Sequence, residues 1–282
     1  MKSFSRFNLS RLVTLGVLSA ASLSVAQAGL IVNLGTLDLE LGPDAHTTRE
    51  LDLANTGDKP AEVSVFAADW TQDENGAVDA VDPSTSKAPD SATGWIGVSP
   101  QRFTLKAGEK KVVTVSLATP KNAAAMPLKE YRSMVFSETS DTQSAPSSAP
   151  GRELRVRMIS RIGTKIFLRN PQGPANLDCA VTKIEEGKRD GKRGLEIRAA
   201  NRGNLHIQSD ASKVAFRNTD GATVETLAVP PFSILPGHER IVFVELPEPG
   251  KSKLEPGKQY NALAVIDYGG SDLVAGELEL TY

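Results

Sequence analysis

Residues 152–169 read Arg-Glu-Leu-Arg-Val-Arg-Met-Ile-Ser-Arg-Ile-Gly-Thr-Lys-Ile-Phe-Leu-Arg. Six of them are basic (Arg152, Arg155, Arg157, Arg161, Lys165 and Arg169), and Glu153 is the one acid. Leu154, Val156 and Met158 alternate with charged residues, so an extended chain places the three on one face. Ile162 resumes that face after Ser160. This pattern suits recognition more than bond-making. A strand edge offers backbone hydrogen bonds, an apolar row offers groups for pockets, and cations offer a partner to an anion. At about 3.3 Å per residue the strand would span roughly 50–60 Å, longer than most. Such a strand is either buried in its own core or lent to another chain.

Catalytic patterns are missing. His46, His206 and His238 are scattered without zinc-type spacing. There is no Gly-x-Ser-x-Gly elbow. Gly250-Lys251-Ser252 echoes the end of a phosphate loop, but Glu245 stands where the earlier glycine is required. Asp73-Glu-Asn-Gly76 has calcium-like residues without the remaining loop ligands and reads as a turn. The expectation is a non-enzyme that needs no cofactor or metal. Charge is nearly balanced, with 32 Lys and Arg against 34 Asp and Glu, which points away from a general nucleic-acid surface. Two tryptophans in an aromatic content of 5% argue against a sugar-binding platform.

The elements that must position the basic strand are mostly other strands. Lys2, Arg6 and Arg11 precede the apolar run Leu12–Val25, and Ala26-Gln27-Ala28 fits a small-x-small cleavage site. Residues 1–28 therefore read as a cleavable signal peptide of an exported protein. Cys179 is the only cysteine, so no intrachain disulfide is available, and a small buried thiol is its plainest reading. Strand signals cover Leu37–Leu41, Thr48–Ala54, Ala61–Ala68, Lys111–Leu117, Arg132–Glu138 and Arg152–Arg169. They resume at Leu177–Glu185, Gly194–Asn201, Ser212–Phe216, Thr223–Val229, Arg240–Glu245, Gln259–Tyr268 and Glu277–Tyr282. Asp141–Gly151 reads as a mobile loop and Gly187–Gly194 as a charged hairpin loop. Asn170-Pro-Gln-Gly-Pro174 reads as the boundary between an N-terminal domain, 29–170, and a C-terminal domain, 171–282. The fold class expected is all-β, with two immunoglobulin-like β-sandwich domains. No sequence repeat between the halves is evident.

Several pieces in order resemble the periplasmic pilus and fimbrial assembly chaperones of the chaperone–usher pathway. They are Asp52-Leu-Ala-Asn-Thr-Gly-Asp-Lys-Pro60, then Trp70, then Trp95-Ile-Gly-Val-Ser-Pro-Gln-Arg-Phe-Thr-Leu-Lys-Ala-Gly-Glu109. Glu130-Tyr-Arg-Ser-Met-Val-Phe136 looks like the family's penultimate N-terminal-domain strand, and Arg152–Arg169 like its last. In the second half, Asp267-Tyr-Gly-Gly270 is the clearest piece. The resemblance implies an L-shaped pair of sandwiches that stabilises incomplete pilin-like or coat-like secreted subunits by donating a strand, then delivers them to an outer-membrane usher. It implies that Leu154, Val156, Met158 and Ile162 enter the subunit groove and that Lys165 anchors the subunit's C-terminal carboxylate.

The resemblance also implies an interdomain charge set, here Arg169, Asp267 and a glutamate near Glu130. The family's N-terminal arginine has no counterpart, because residues 29–42 hold neither Arg nor Lys. Arg161, Arg132 or another strand residue then substitutes, or the anchor is weaker. The free protein is expected to protect its edge as a self-capping homodimer. The rival reading is a two-domain immunoglobulin-like surface or matrix protein that keeps Leu154, Val156 and Met158 in its own core. A secreted enzyme or carbohydrate-binding module ranks behind it.

Overall fold

The computed structural model describes residues 29–33, 35–40, 46–81, 88–121, 125–146 and 153–282, with backbone only for 141–158. The expected signal peptide, residues 1–28, lies outside the described residues. The chain forms two β-sandwiches in sequence. Among the described residues the one helical element is a 3₁₀ turn at Thr93–Trp95, and no helix is long and apolar enough to cross a membrane.

The first sandwich packs a four-stranded sheet on a five-stranded one. The smaller sheet orders β1 (Leu30–Val32), β3 (His46–Asn55), β9 (Lys110–Ala118) and β7 (Ile96–Ser99). The larger orders β2 (Thr36–Glu40), β11 (Glu153–Arg169), β10 (Glu130–Pro146), β4 (Ala61–Ala68) and β8 (Arg102–Leu105). Alternation fixes which side chains meet. Leu51 and Leu53 of β3 and Val113, Val115 and Leu117 of β9 face Val63 and Val65 of β4, Val135 of β10, and Ile166 and Leu168 of β11. A short hairpin, β5 (Trp70–Gln72) with β6 (Val78–Ala80), leaves this sandwich after β4.

The second sandwich packs β12 (Cys179–Arg189), β13 (Lys192–Asn201) and β18 (Glu239–Glu245) on a sheet of β16 (Thr223–Ala228), β15 (Lys213–Arg217), β19 (Gln259–Ile266) and β20 (Val274–Thr281). A two-stranded pair, β14 (Ile207–Ser209) with β17 (Phe232–Ile234), completes it. Its core includes Leu195, Ile197, Ile207, Val214, Phe216, Ala264 and Ile266. Cys179 belongs to this core, and burial pushes its thiol up to about 11, so it is protonated at neutral pH.

Two loop expectations need correction. Of the Asp141–Gly151 stretch expected to be a loop, residues 147–151 lie outside the described residues, whereas Asp141 to Pro146 continue strand β10, because a backbone ladder with β11 runs unbroken from Glu130↔Arg169 to Pro146↔Glu153. Ladder hydrogen bonds hold those polar residues extended without a core. The charged Gly187–Gly194 loop is in fact two paired strand ends joined by Asp190-Gly191 alone, with φ of 52° and 79°. Two left-handed residues make the turn that matches strand twist, and Asp-Gly is a favoured pair for it.

Candidate strand-binding edge and basic cleft

The β10–β11 hairpin outruns the sheet that holds it. Strand β4 pairs with β10 only from Met134 to Thr139, and β2 pairs with β11 only from Lys165 to Arg169, in parallel. Beyond Ser140 and Ile159 the two long strands pair with each other alone. Among the described residues, no strand covers the outer edge of β11 from Glu153 to Gly163. That edge closes at Lys165, whose backbone N–H donates to the Gly35 carbonyl at 2.9 Å. Odd-numbered amides of β11 therefore point to the outer edge and even-numbered ones toward β10.

Register also sorts the side chains. Met134 lies opposite Lys165 and Arg132 opposite Phe167, so all four share the face turned away from the first core. Thr164, Ile166 and Leu168 occupy the opposite, buried face. Ile162 packs against that same first core. Leu154, Val156 and Met158 continue its alternation in the overhang, opposite Ala145, Gln143 and Asp141, and their side chains lie outside the described residues. Ile159, of the opposite parity, is exposed.

The outer face builds a cleft between the sandwiches. Ala68, Trp70, Met134, Phe136 and Phe167 cluster with Leu235 from the second sandwich. Trp70 is buried, and Phe167 meets it edge-on with ring centroids 6.1 Å apart. Two cations sit on the indole: Lys165 Nζ at 5.4 Å and the Arg132 guanidinium at 5.1 Å. Lys165 Nζ donates to Ser233 Oγ at 3.2 Å across the cleft. Among the described residues no carboxylate forms an ion pair with it. Burial, and then the charge of Arg240, lowers its pKa below the ordinary lysine value.

Arg132 is less free, since it pairs with Asp90 at 2.7 Å. Arg161 is committed elsewhere, with its guanidinium donating twice to Glu138 Oε2, at 3.0 and 2.8 Å, and lying over Phe66 and Phe136.

Of the residues expected to form an interdomain charge set, Glu130 does reach the second sandwich. Its buried carboxylate accepts the His206 backbone N–H at 2.9 Å and meets His206 Nδ1 at 2.8 Å. The imidazole stacks on Phe167 with centroids 3.7 Å apart and planes 11° apart. Its Nε2 lies 3.5 Å from Asp38. Arg169 stands opposite Glu130 in the ladder, and its Nε is buried without a hydrogen-bond partner. Asp267 turns inward on its own loop, where Oδ1 accepts the Gly269 N–H at 3.1 Å. Among the described residues no ion pair joins Arg169 to Asp267.

His206 has no local signature, being a lone histidine whose carboxylate partners lie 76 positions away or more. The Asp73–Gly76 turn is legible in the sequence, but its docking is not. It docks on the second sandwich, with the Glu74 carbonyl accepting the Ile241 N–H at 2.7 Å and its carboxylate 2.8 Å from Arg198. A wider concavity of about 620 Å³, lined by Glu186, Gln259, Asn261 and Glu279 among others, opens on the second sandwich and includes no residue of β10 or β11.

No protein-family model matches the chain, and no curated protein does. Solved structures do. The chain is similar to the E. coli chaperone DraB, with 18% identity and a TM-score of 0.41 over 89% of this chain and 98% of that one. It is similar to the CsuC–CsuE chaperone–tip subunit pre-assembly complex from archaic chaperone–usher Csu pili of Acinetobacter baumannii, with 15% identity and a TM-score of 0.41 over 89% and 98%. It is also similar to the CupB2 chaperone of Pseudomonas aeruginosa, with 13% identity and a TM-score of 0.39 over 89% and 99%. All three are chaperones or chaperone complexes.

Proposed function

We propose that the protein is a periplasmic assembly chaperone that stabilises incomplete immunoglobulin-like pilin or coat subunits by strand donation and passes them to an outer-membrane usher. One observation carries the reading: a 17-residue strand, β11, leaves its sheet with one edge that no strand among the described residues covers, and that edge ends at a partly buried lysine with no counter-ion among the described residues. An added strand gains backbone hydrogen bonds along Glu153–Gly163. Leu154, Val156 and Met158 would fill its groove, each stabilising by roughly 1.5–3 kcal/mol when buried. Ile162, already on the first core, marks where the lent strand becomes the chaperone's own.

Charge sets the direction of the added strand. β2 occupies the edge from Lys165 onward, so an incoming strand must stop there. Lys165 favours a negative chain end at that point, which makes the added strand parallel to β11, end to end with β2. Glu130 with His206, and the Asp73–Gly76 turn, hold the two sandwiches in place around the cleft.

The test is capture from periplasmic extract by the wild type, Met158→Arg and Lys165→Glu, with bound proteins identified by mass spectrometry. The expected result is a small secreted β-protein bound by the wild type and lost from both folded variants. Equal recovery by all three would sink the proposal and leave the two-domain structural protein.

A further inference from the structure

The β10–β11 ribbon balances its own charges inside the sheet and leaves them unbalanced in the overhang. Odd positions of β11 share the face turned away from the first core with Lys165 and Phe167. On that face Arg161 stands opposite Glu138, and the pair is made, with the guanidinium donating to Glu138 Oε2 at 3.0 and 2.8 Å. Arg132 of β10, on the same face, has Asp90 at 2.7 Å. Beyond Arg161 the acids stop. Ile159 stands opposite Ser140, Arg157 opposite Thr142 and Arg155 opposite Ser144. Asp141, the acid in this part of β10, lies opposite Met158 and so belongs to the other face. Glu153 shares the face but is the same-face neighbour of Arg155, not of Arg157.

Register therefore surrounds Arg157 with no acid at all: Thr142 opposite, Ser140 and Ser144 on the diagonals, Arg155 and Ile159 along its own strand. It sits near the middle of the stretch Glu153–Gly163, whose outer edge no strand among the described residues covers. A strand added to that edge runs about 4.8 Å from β11 and sets a residue beside each of these positions on the same face. Opposite charges facing each other across a ladder stabilise it, and like charges destabilise it. Inside the sheet the protein supplies the acid itself; at the open edge the incoming strand is the element placed to supply it. We infer that the strand a subunit adds to β11 carries an aspartate or glutamate opposite Arg157, and that this pair helps decide which strands are accepted. The inference rests on the strand-donation reading and adds a second determinant to it. Leu154, Val156 and Met158 would select for an apolar groove, whereas Arg157 selects on the opposite face of the same sheet. A lysine or arginine at the matching position is disfavoured by like-charge repulsion.

The complex that co-purifies with the wild type is the probe. Arg157→Lys puts a carbodiimide-reactive amine at this position, so zero-length coupling joins it to a carboxylate in contact, and mass spectrometry of the digested complex names the residue joined. The expected product is an amide to one Asp or Glu of the subunit. Dissociation of the complex should be about tenfold faster in Arg157→Glu, about threefold faster in Arg157→Gln, and close to wild type in Arg155→Gln, where Glu153 adjoins. Changing the identified acid to lysine should restore slow dissociation to Arg157→Glu. Unchanged dissociation in Arg157→Glu with no coupled product, in a protein whose capture is still lost in Met158→Arg, would overturn the acidic partner and leave strand donation intact. Equal acceleration in Arg155→Gln and Arg157→Gln, with coupling spread over several acids, would overturn the specific pair in favour of a diffuse positive field. Full capture by Met158→Arg would overturn strand donation and this inference with it.

Discussion

The two sandwiches share one corner and differ in one hairpin. Asn55 donates to the Lys59 and Leu105 carbonyls at 2.7 and 3.1 Å and accepts the Gly57 N–H at 2.9 Å. Asn201 donates to the Leu205 and Ile234 carbonyls at 2.8 and 2.9 Å and accepts the Gly203 N–H at 2.9 Å. Their backbones match too. Gly108 donates to the Asn55 carbonyl and Gly237 to that of Asn201, and these glycines have φ of 74° and 75°. The final hairpins then diverge. In the second sandwich β19 and β20 pair from Gln259↔Thr281 to Ile266↔Val274, and β15 backs β19 from Asn261 to Val265, so little overhangs. In the first, β10 is backed by β4 only to Thr139 while the ladder with β11 runs on to Pro146. One scaffold thus ends once as a closed module and once as an open strand. The difference lies in hairpin length and charge, with the corner held constant.

The largest way to break this comparison is to place charge in the overhang. Met158→Arg should weaken subunit capture about a hundredfold or more, because it replaces a buried apolar group by a cation. Glu279→Arg on β20 should leave capture unchanged, as read by quantitative pull-down. Next, Asn55→Ala and Asn201→Ala each strand buried carbonyls, at a cost of about 2–4 kcal/mol in urea unfolding. Similar costs support equivalent corners, and a large disparity breaks the equivalence. Third, Glu130→Ala leaves the His206 amide and imidazole without their acceptor. It should lower stability by about 1–3 kcal/mol and loosen the sandwiches relative to each other, which small-angle scattering reads.

A pH titration sharpens the account further. Because burial and Arg240 lower the Lys165 pKa, the folded free protein binds fewer protons there than the unfolded chain does. The free protein therefore gains stability as pH rises from the lowered value toward the ordinary 10.5. Carboxylate affinity falls across the same window as the ammonium is lost. Lys165→Met should remove both trends. The smallest effect expected is at Cys179. Its thiol, pushed up to about 11, should resist alkylation by iodoacetamide at pH 8 until the second sandwich unfolds.

Alternation made most of the strands legible, because period two is a local property that each face imposes on its own residues. Lys165 was singled out by the family resemblance and not by alternation, and β2 begins to pair with β11 at that residue. Arg240, His206 and the docking of the Asp73–Gly76 turn carried no local signal. Their partners lie across the cleft, and only the packing of Phe167, Trp70 and Leu235 brings them together. The repeated corner was hidden for a similar reason. Ala54-Asn55-Thr-Gly57 and Ala200-Asn201-Arg-Gly203 are too short to register as a repeat, and their likeness lies in which carbonyls the asparagines reach. Asp141–Pro146 was misread because Ser, Thr and Gln next to Pro suggest a loop, although a partner strand supplies every ladder bond they need.

Backbone amide exchange along β11, measured in the free protein and in a captured complex, tests strand donation most directly. The account predicts that Arg155, Arg157, Ile159, Arg161 and Gly163, whose amides face the uncovered edge, exchange fast when free and become protected on capture. Leu154, Val156, Met158, Ser160 and Ile162, bonded to β10, should be protected in both states. Unchanged fast exchange at the odd positions in a saturated complex would contradict it, because a subunit held there would not be adding a strand.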